Sequence, residues 1–467
     1  LMRRIVYSLF LLAVLAGFTC NQSVAQVKMI PTPAPERPAG QVDVLNLSCD
    51  PIPTVRIAYI GLGMRGSGAV YRSTFLEGVE VKALCDLNSD YVKSAQKTLT
   101  DKKLPAADEY TGSEDWKKIC ERDDIDLVYI CTDWLKHTPM AVYAMEHGKH
   151  VAVEVPAAMS IDECWQLVNT AEKTRKHCMM LENCCYDFFE ILTVNMVQQG
   201  LFGEVIHGEG AYIHELLSGM FGEPQWPTWR WDENHKSGNP YPIHGLGPVC
   251  WAMNINRGDK MEYLTSMSTD DFLMEAKAKE LAAQNDYYKP MAEMKYRGNM
   301  NTTTVRTTRG KTIMIQHDVS TPHPYDRLHV LTGTKGSCRK YPEPGKIAFG
   351  HDYISPEKLA ELEVQYTPEV VKHISEVAKI IGGHGGMDFI MDWRMIDCLR
   401  NGLPLDMDVY DAASWCSITP LSYWSVANRS NSIDIPDFTG GAWLKNHPVD
   451  LTLRGGGNTN VVEQPKS

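Results

Sequence analysis

The chain lacks an apolar run of membrane-spanning length. A spanning helix needs about 20 apolar residues, and the run from Ile5 to Phe18 is too short. Basic clusters are missing as well. Lys and Arg number 46 against 58 Asp and Glu, for a formal net charge of −12, and nothing gathers positive charge to attract phosphates. That argues against a nucleic-acid or anionic-membrane partner. There is no low-complexity tract and no internal repeat. Thirteen cysteines are present, yet no pair has zinc-ligand spacing, so no metal site is expected. Their odd number, and positions inside apolar segments such as Cys85 and Cys131, predict buried free thiols rather than a disulfide framework. The adjacent Cys184 and Cys185 suit neither a zinc site nor an easy disulfide.

What is present begins with length. At 467 residues the chain exceeds what one hydrophobic core usually organises, so two domains are expected. Arg3 and Arg4, the apolar run to Phe18 and Ser23-Val24-Ala25 describe a signal peptide over residues 1–25. Export to the periplasm with cleavage after Ala25 is expected, ahead of lipidation at Cys20. Residues 26–54, with six prolines from Pro31 to Pro53, read as an extended linker.

From residue 55 to 180 strand and helix signals alternate. Strands are expected at Val55 to Ile60, Val79 to Cys85, Leu127 to Cys131 and His150 to Val153. Helices are expected from the Gly61 to Gly66 turn to about Glu77, around Tyr91 to Leu99, around Pro139 to His147 and over Ile161 to Lys176. This pattern predicts a doubly wound parallel sheet covered on both faces. From 181 to 467 the texture changes to Thr-, Val- and Ile-rich runs: Val205 to Ile213, Tyr263 to Ser268, Met300 to Thr307, Thr312 to Val319 and Arg327 to Thr332. These predict a largely antiparallel open sheet, followed by a helix over Asp408 to Ala427. The fold class is therefore α/β, a Rossmann domain at residues 55–180 and an α+β substrate domain at 181–467.

Ile57 to Gly66 contains Gly61-x-Gly63-x-x-Gly66 after a strand and at the start of a helix, with Asp86 ending the next strand, 25 residues beyond Gly61. Gly61 permits the tight turn, Gly63 lets a pyrophosphate approach the backbone, and Gly66 lets helix and strand pack closely. Asp86 accepts hydrogen bonds from ribose hydroxyls and repels a 2′-phosphate, and Leu87-Asn88-Ser89 supply no cation. NAD is favoured over NADP.

Cys131-Thr132-Asp133-Trp134-Leu135-Lys136-His137 and Glu154-Val155-Pro156 each end a strand. They resemble the glucose-fructose oxidoreductase and inositol dehydrogenase superfamily, which carries Glu-Lys-Pro at the second place. Val155 stands where that superfamily has a lysine that polarises the reacting hydroxyl. Further strings narrow the match: Glu182-Asn183-Cys184-Cys185-Tyr186, Gly210-Ala211-Tyr212-Ile213-His214, Trp229-Arg230, Tyr241-Pro242-Ile243-His244-Gly245-Leu246-Gly247-Pro248 and Gln316-His317-Asp318-Val319. Together they resemble glycoside hydrolase family 109, which contains NAD-dependent α-N-acetylgalactosaminidases. The resemblance implies cofactor contacts at Met64, Arg65, Asp86, Trp134, Leu135, Lys136, His137, Glu154, Val155 and Asn183. It implies substrate contacts at Tyr212, Arg230, Tyr241, Pro242, Ile243, His244 and Tyr325. Each has a blander reading: Tyr212 on its strand as core, Trp134 as packing. His317 and His323 read as strand or surface histidines rather than metal ligands.

The family route implied is redox-neutral. Oxidation at C3 of the sugar acidifies the C2 proton, its removal expels the C1 substituent, water adds, and the hydride returns. Such a route needs no pair of catalytic carboxylates and no external pool to recycle the cofactor. For proton transfer His244 and Tyr241 lead, with His214 and Tyr325 as further candidates. The substrate implied is a glycan ending in N-acetylgalactosamine, and a homo-oligomer remains open. Two other readings stand: an exported sugar oxidoreductase that keeps NAD(P) bound, which Val155 counts against, and a non-catalytic NAD or sugar sensor.

Overall fold

The computed structural model describes residues 32–224, 228 and 230–462. The expected signal peptide, residues 1–25, and Trp229 lie outside the described residues.

Strand and helix alternate through β1 (Val55–Ile60), α1 (Met64–Ser73), β2 (Val79–Cys85), α2 (Ser89–Asp101), β3 (Asp108–Tyr110), α3 (Asp115–Cys120), β4 (Leu127–Ile130), α4 (Trp134–Glu146), β5 (His150–Val153), α5 (Ile161–Thr174) and β6 (Cys178–Met180). The six strands pair in parallel in the order β3-β2-β1-β4-β5-β6. β4 and β5 are buried at every position, as strands covered on both faces must be. Three elements were not anticipated. β3 is an exposed Asp-Glu-Tyr edge with no apolar run, while α3 and β6 are too short to show a period. Helix α4 starts at Trp134 rather than at Pro139, because the Asp133 carboxylate caps it by accepting the Leu135 N–H at 3.1 Å.

The second half contains α6 (Phe188–Gln198), β7 (Val205–Ile213), α7 (Ile243–Met253), β8 (Met261–Ser268), α8 (Met274–Ala282), β9 (Asn301–Thr307), β10 (Thr312–Asp318), β11 (Val330–Gly333), β12 (Ser337–Arg339), β13 (Lys346–Ala348), α9 (Pro356–Tyr366), α10 (Glu369–Ile381), α11 (Met387–Asn401), α12 (Val409–Ala427) and β14 (Ile433–Asp434). Its eight strands lie in the order β13-β12-β11-β7-β10-β9-β8-β14. Neighbours are antiparallel except β7 and β10, which run parallel. The strand expected from Arg327 begins only at Val330, since Leu328 and His329 take φ of 58° and 48° and turn the chain first.

Two corrections concern helices. The Tyr241-to-Pro248 string, where no helix is expected from the sequence, leads into α7 at Ile243. Its glycines serve close approach: a Cβ on Gly245 would lie 2.2 Å from the Ala211 nitrogen, so α7 lies backbone against backbone on β7. Helix α11 went unassigned because nearly all of it is buried, Asp388, Asp392, Arg394 and Asp397 included, and no polar face marks its period. The C-terminal helices return to the first sheet, α11 packing on α1 and α12 on α5. Residues 32–54 form no helix or strand and lie across this junction. Val44 donates its N–H to the Tyr410 hydroxyl at 2.9 Å, and Arg37 pairs with Glu172 at 3.0 Å. All described cysteines are free thiols, as expected. No helix among the described residues is long and apolar enough to cross a membrane.

Candidate active site

The carboxyl ends of β1, β2, β4, β5 and β6 lead into Gly61, Asp86, Trp134, Glu154 and Asn183, along the edge where parallel α/β sheets bind ligands. Gly61 has φ +87°, and a Cβ on Gly66 would lie 1.8 Å from the Gly61 carbonyl oxygen. A Cβ on Gly63 would meet nothing closer than Tyr91 at 3.9 Å, so the approach to α1 is open beside the exposed Met64. No side chain caps α1, and its first N–H groups can receive a phosphate. Asp86 accepts the Leu62 N–H at 2.6 Å on one oxygen and the Asn88 N–H at 2.7 Å on the other. Each oxygen keeps a lone pair for a ribose hydroxyl. The residues fit a dinucleotide.

Beside this edge Arg65 donates to Glu154 at 2.8 Å and to Asp388 at 3.0 Å, with His384 Nδ1 at 3.1 Å from its Nη1. Asn183 donates its amide to Asp388. Three expected cofactor contacts are thus tied together through a carboxylate of α11. Burial alone would raise the Asp388 carboxyl, but the His384 hydrogen bond and the Arg65 and Arg72 guanidiniums drive it well below the usual carboxylate range. Leu135 and Lys136 are exposed. His137 is buried with both ring nitrogens on carbonyl oxygens, Pro156 at 2.7 Å and Thr132 at 3.0 Å. Val155 is buried.

On the other side lies a cleft lined by Trp134, Tyr212, Arg230 and Tyr241 among others. Tyr241 stacks on Trp134 at 5.5 Å and 12°. Its hydroxyl lies 3.2 Å from His244 Nε2, and His244 Nδ1 lies 2.8 and 3.0 Å from the two oxygens of Glu182. Glu182 is fully buried and fixed by the Cys184 N–H at 2.9 Å. This is the geometry of an oriented base: the carboxylate holds one ring nitrogen protonated and leaves the other to accept a proton from the tyrosine. Tyr212 lies 4.9 Å from Tyr241 and 4.8 Å from His214, ring to ring, and Tyr325 lies 5.0 Å from His214. The Tyr325 hydroxyl accepts from Arg327 at 3.0 Å. Burial, with the charge of Arg230, lowers His214 to about 4, so it is neutral and weakly basic at pH 7. Pro242 and Ile243 are buried, which leaves Tyr241 lining the cleft with the half-buried His244 on its hydroxyl.

A family model described as "Glycosyl hydrolase 109, C-terminal domain" matches residues 186–445, and one described as "Oxidoreductase family, NAD-binding Rossmann fold" matches 55–182. A relative from Bacteroides fragilis called "Glycosyl hydrolase family 109 protein 1" is 51% identical, covering 92% of this chain and 96% of its own. The chain belongs to glycoside hydrolase family 109. A second Bacteroides fragilis relative, named "Alpha-N-acetylgalactosaminidase", is 53% identical over 87% of this chain and 97% of its own. Among solved structures, scyllo-inositol dehydrogenase from Lactobacillus casei with bound NAD(H) and scyllo-inositol superposes with TM-score 0.58. It is 14% identical and covers 82% of this chain and 99% of its own, a likeness of fold. The chain is thus a glycoside hydrolase with a Rossmann domain for a nucleotide cofactor.

Several residues of this family 109 site were missed in the sequence. Glu182 stands inside a quoted motif but was given no role; it reaches His244 through the fold, 62 positions away. Asp388 and His384 belong to Gly382-Gly383-His384-Gly385-Gly386-Met387-Asp388, five of whose residues in a row have positive φ. Two pairs of glycines around a histidine were a usable signal. Glu182, Cys184 and His244 also bring three donor atoms within 4.8 Å of one another. Burial raises the Cys184 thiol well above its usual range, which keeps it protonated and a poor metal ligand.

Proposed function

We propose that the chain hydrolyses α-N-acetylgalactosaminides by the redox-neutral, NAD-dependent route. The observation that carries this reading is the Glu182–His244–Tyr241 chain stacked on Trp134, next to the edge that fits a dinucleotide. Direct displacement at C1 uses two carboxylates flanking the bond. Among the described residues the cleft is lined by one, Glu233, which Lys236 holds at 3.0 Å and the Tyr423 hydroxyl also occupies. Oriented bases suit deprotonation at carbon and oxygen instead.

Gly61, Gly63, Met64, Gly66 and Asp86 would hold the dinucleotide, with Glu154, Val155 and Asn183 farther along the edge. When bound it supplies reversible hydride transfer. Tyr241, relayed by His244 to Glu182, removes and returns a proton at the sugar; Tyr212, Arg230 and Tyr325 position the ring. Purified protein should release the aglycone from an aryl α-N-acetylgalactosaminide without added cofactor. Net accumulation of NADH with free sugars, and no cleavage, would favour an oxidoreductase instead. Export is part of the proposal: a bound cofactor that returns to its starting state needs no external pool. Mass spectrometry of the mature protein should find Gln26 at its N-terminus.

A further inference from the structure

The cleft continues beyond Arg230 to Arg297, His317 and Val319. Among the described residues five arginines are buried: Arg72, Arg257, Arg297, Arg327 and Arg394. Four hold a carboxylate, at 2.6, 2.6, 2.6 and 3.1 Å. Arg297 holds none within 4 Å. It is 2% exposed, and its side chain has a single hydrogen bond, from Nη1 to the Gly298 carbonyl at 3.3 Å. Nearby carboxylates are committed elsewhere. Asp318 accepts from Ser320 and Thr321, Asp271 accepts the Leu273, Met274 and Glu275 N–H groups, and Glu233 is held by Lys236 and Tyr423. A desolvated guanidinium without a counter-charge is strongly destabilising unless something else supplies the charge.

The unpaired atoms have a defined shape. Nε and Nη2 form one edge of the guanidinium, two nearly parallel N–H donors that match two oxygens of one oxyanion. The buried Nδ1 of His317, which lines the same cleft, also has no partner, and Arg230 lines it too with its guanidinium 6.0 Å from the Trp134 ring. These groups lie in the cleft of Tyr241, so an anion reaching them would be part of the bound substrate.

We propose that Arg297 and Arg230 form a subsite for an oxyanion carried by the glycan, a sulfate ester or a carboxylate, and that the preferred substrate is an anionic α-N-acetylgalactosaminide. The sugar identity rests on the function proposed above; the anion subsite does not.

The test compares the purified enzyme on a neutral aryl α-N-acetylgalactosaminide, on its sulfated forms and on a disaccharide carrying a hexuronic acid. Charge-assisted hydrogen bonds of this kind predict kcat/KM about tenfold or more higher for one anionic form. A preference for the sulfated arm identifies a sulfate ester as the source, and for the uronate arm a carboxylate. In R297Q and R297K, checked for unchanged unfolding temperature, that preference should collapse towards one. If either variant fails to fold, the selectivity of the unmodified enzyme and competitive inhibition by inorganic sulfate still decide. Anionic and neutral forms cleaved within twofold of each other, with no inhibition by sulfate, would overturn the proposal. If no galactosaminide is cleaved at all, the proposed function fails. Calorimetry of N-acetylgalactosamine 6-sulfate against N-acetylgalactosamine then reads the subsite separately, tighter sulfate binding supporting it and equal binding overturning it.

Discussion

On the dinucleotide side of the site, Arg65 holds Glu154 at 2.8 Å and Asp388 at 3.0 Å, and Asn183 joins the same carboxylate. On the sugar side, Arg297 keeps two donors unpaired, and the buried ring nitrogens His214 Nε2 and His317 Nδ1 have no partner. The two regions meet at Trp134 and Tyr241 and share one aromatic stack. A wired rim suits a ligand that stays bound through every turnover, because its contacts are organised beforehand. Unpaired groups in a cleft suit a ligand that arrives, satisfies them and leaves. On the function proposed above, the difference between the regions is the one expected between a resident cofactor and a passing substrate.

The largest effect expected lies where the two regions meet. His244→Ala should lower kcat about 10²- to 10⁴-fold, with a much smaller change in KM. Glu182→Gln should lower kcat by less, since the base remains but loses its orienting charge. An activity loss under tenfold in His244→Ala would make that histidine structural and remove the oriented base from the account. Next comes the wired side. Asp388→Asn should leave a folded protein that purifies with little dinucleotide, measured by HPLC of the denatured supernatant. Full retention would break the comparison, because the network would then be ornamental to cofactor holding. Asp86→Ala should reduce the preference for NAD over NADP by about tenfold in calorimetric titration, the scale of a hydrogen bond to a charged group. Tighter NADP than NAD binding by the unmodified protein would contradict the reading of Asp86.

A smaller effect concerns pH and stability. Burial lowers His150 to about 3 and His177 to about 4, from 6.5, and the two rings lie 5.0 Å apart. The unfolded chain therefore binds more protons than the folded one between about pH 6.5 and pH 4, and stability rises with pH across that window. The stabilising contribution is present above pH 6.5 and is lost as pH falls through it. Unfolding temperature should decline over that range, and replacing His150 and His177 by glutamine should flatten the slope.

The parallel sheet was legible because β1, β2, β4 and β5 are mostly Val-, Ile-, Leu- and Ala-rich segments bounded by glycine or acidic turns, and Val205 to Ile213 was matched at both ends. The glycine fingerprint and Asp86 fell on the sheet's carboxyl edge for the same reason. Helix α7 was hidden, since glycines that permit close approach to β7 look like loop residues in one dimension. Helix α11 was hidden by its buried charges, which pair with Arg65 and Arg72 from far away in the chain. Long-range pairing also concealed Glu182 and Arg297: what sets each apart is a partner held or missing, which no local pattern records.

The central claim is that the glycosidic bond breaks after the sugar is oxidised at C3 and deprotonated at C2. Turnover in D₂O, followed by NMR of the released N-acetylgalactosamine, tests it most directly, because displacement at C1 never breaks the C2–H bond. The account predicts deuterium at C2 together with a primary isotope effect on cleavage of 2- or 3-deuterated substrate. A product with only hydrogen at C2, and no isotope effect from either position, would contradict it.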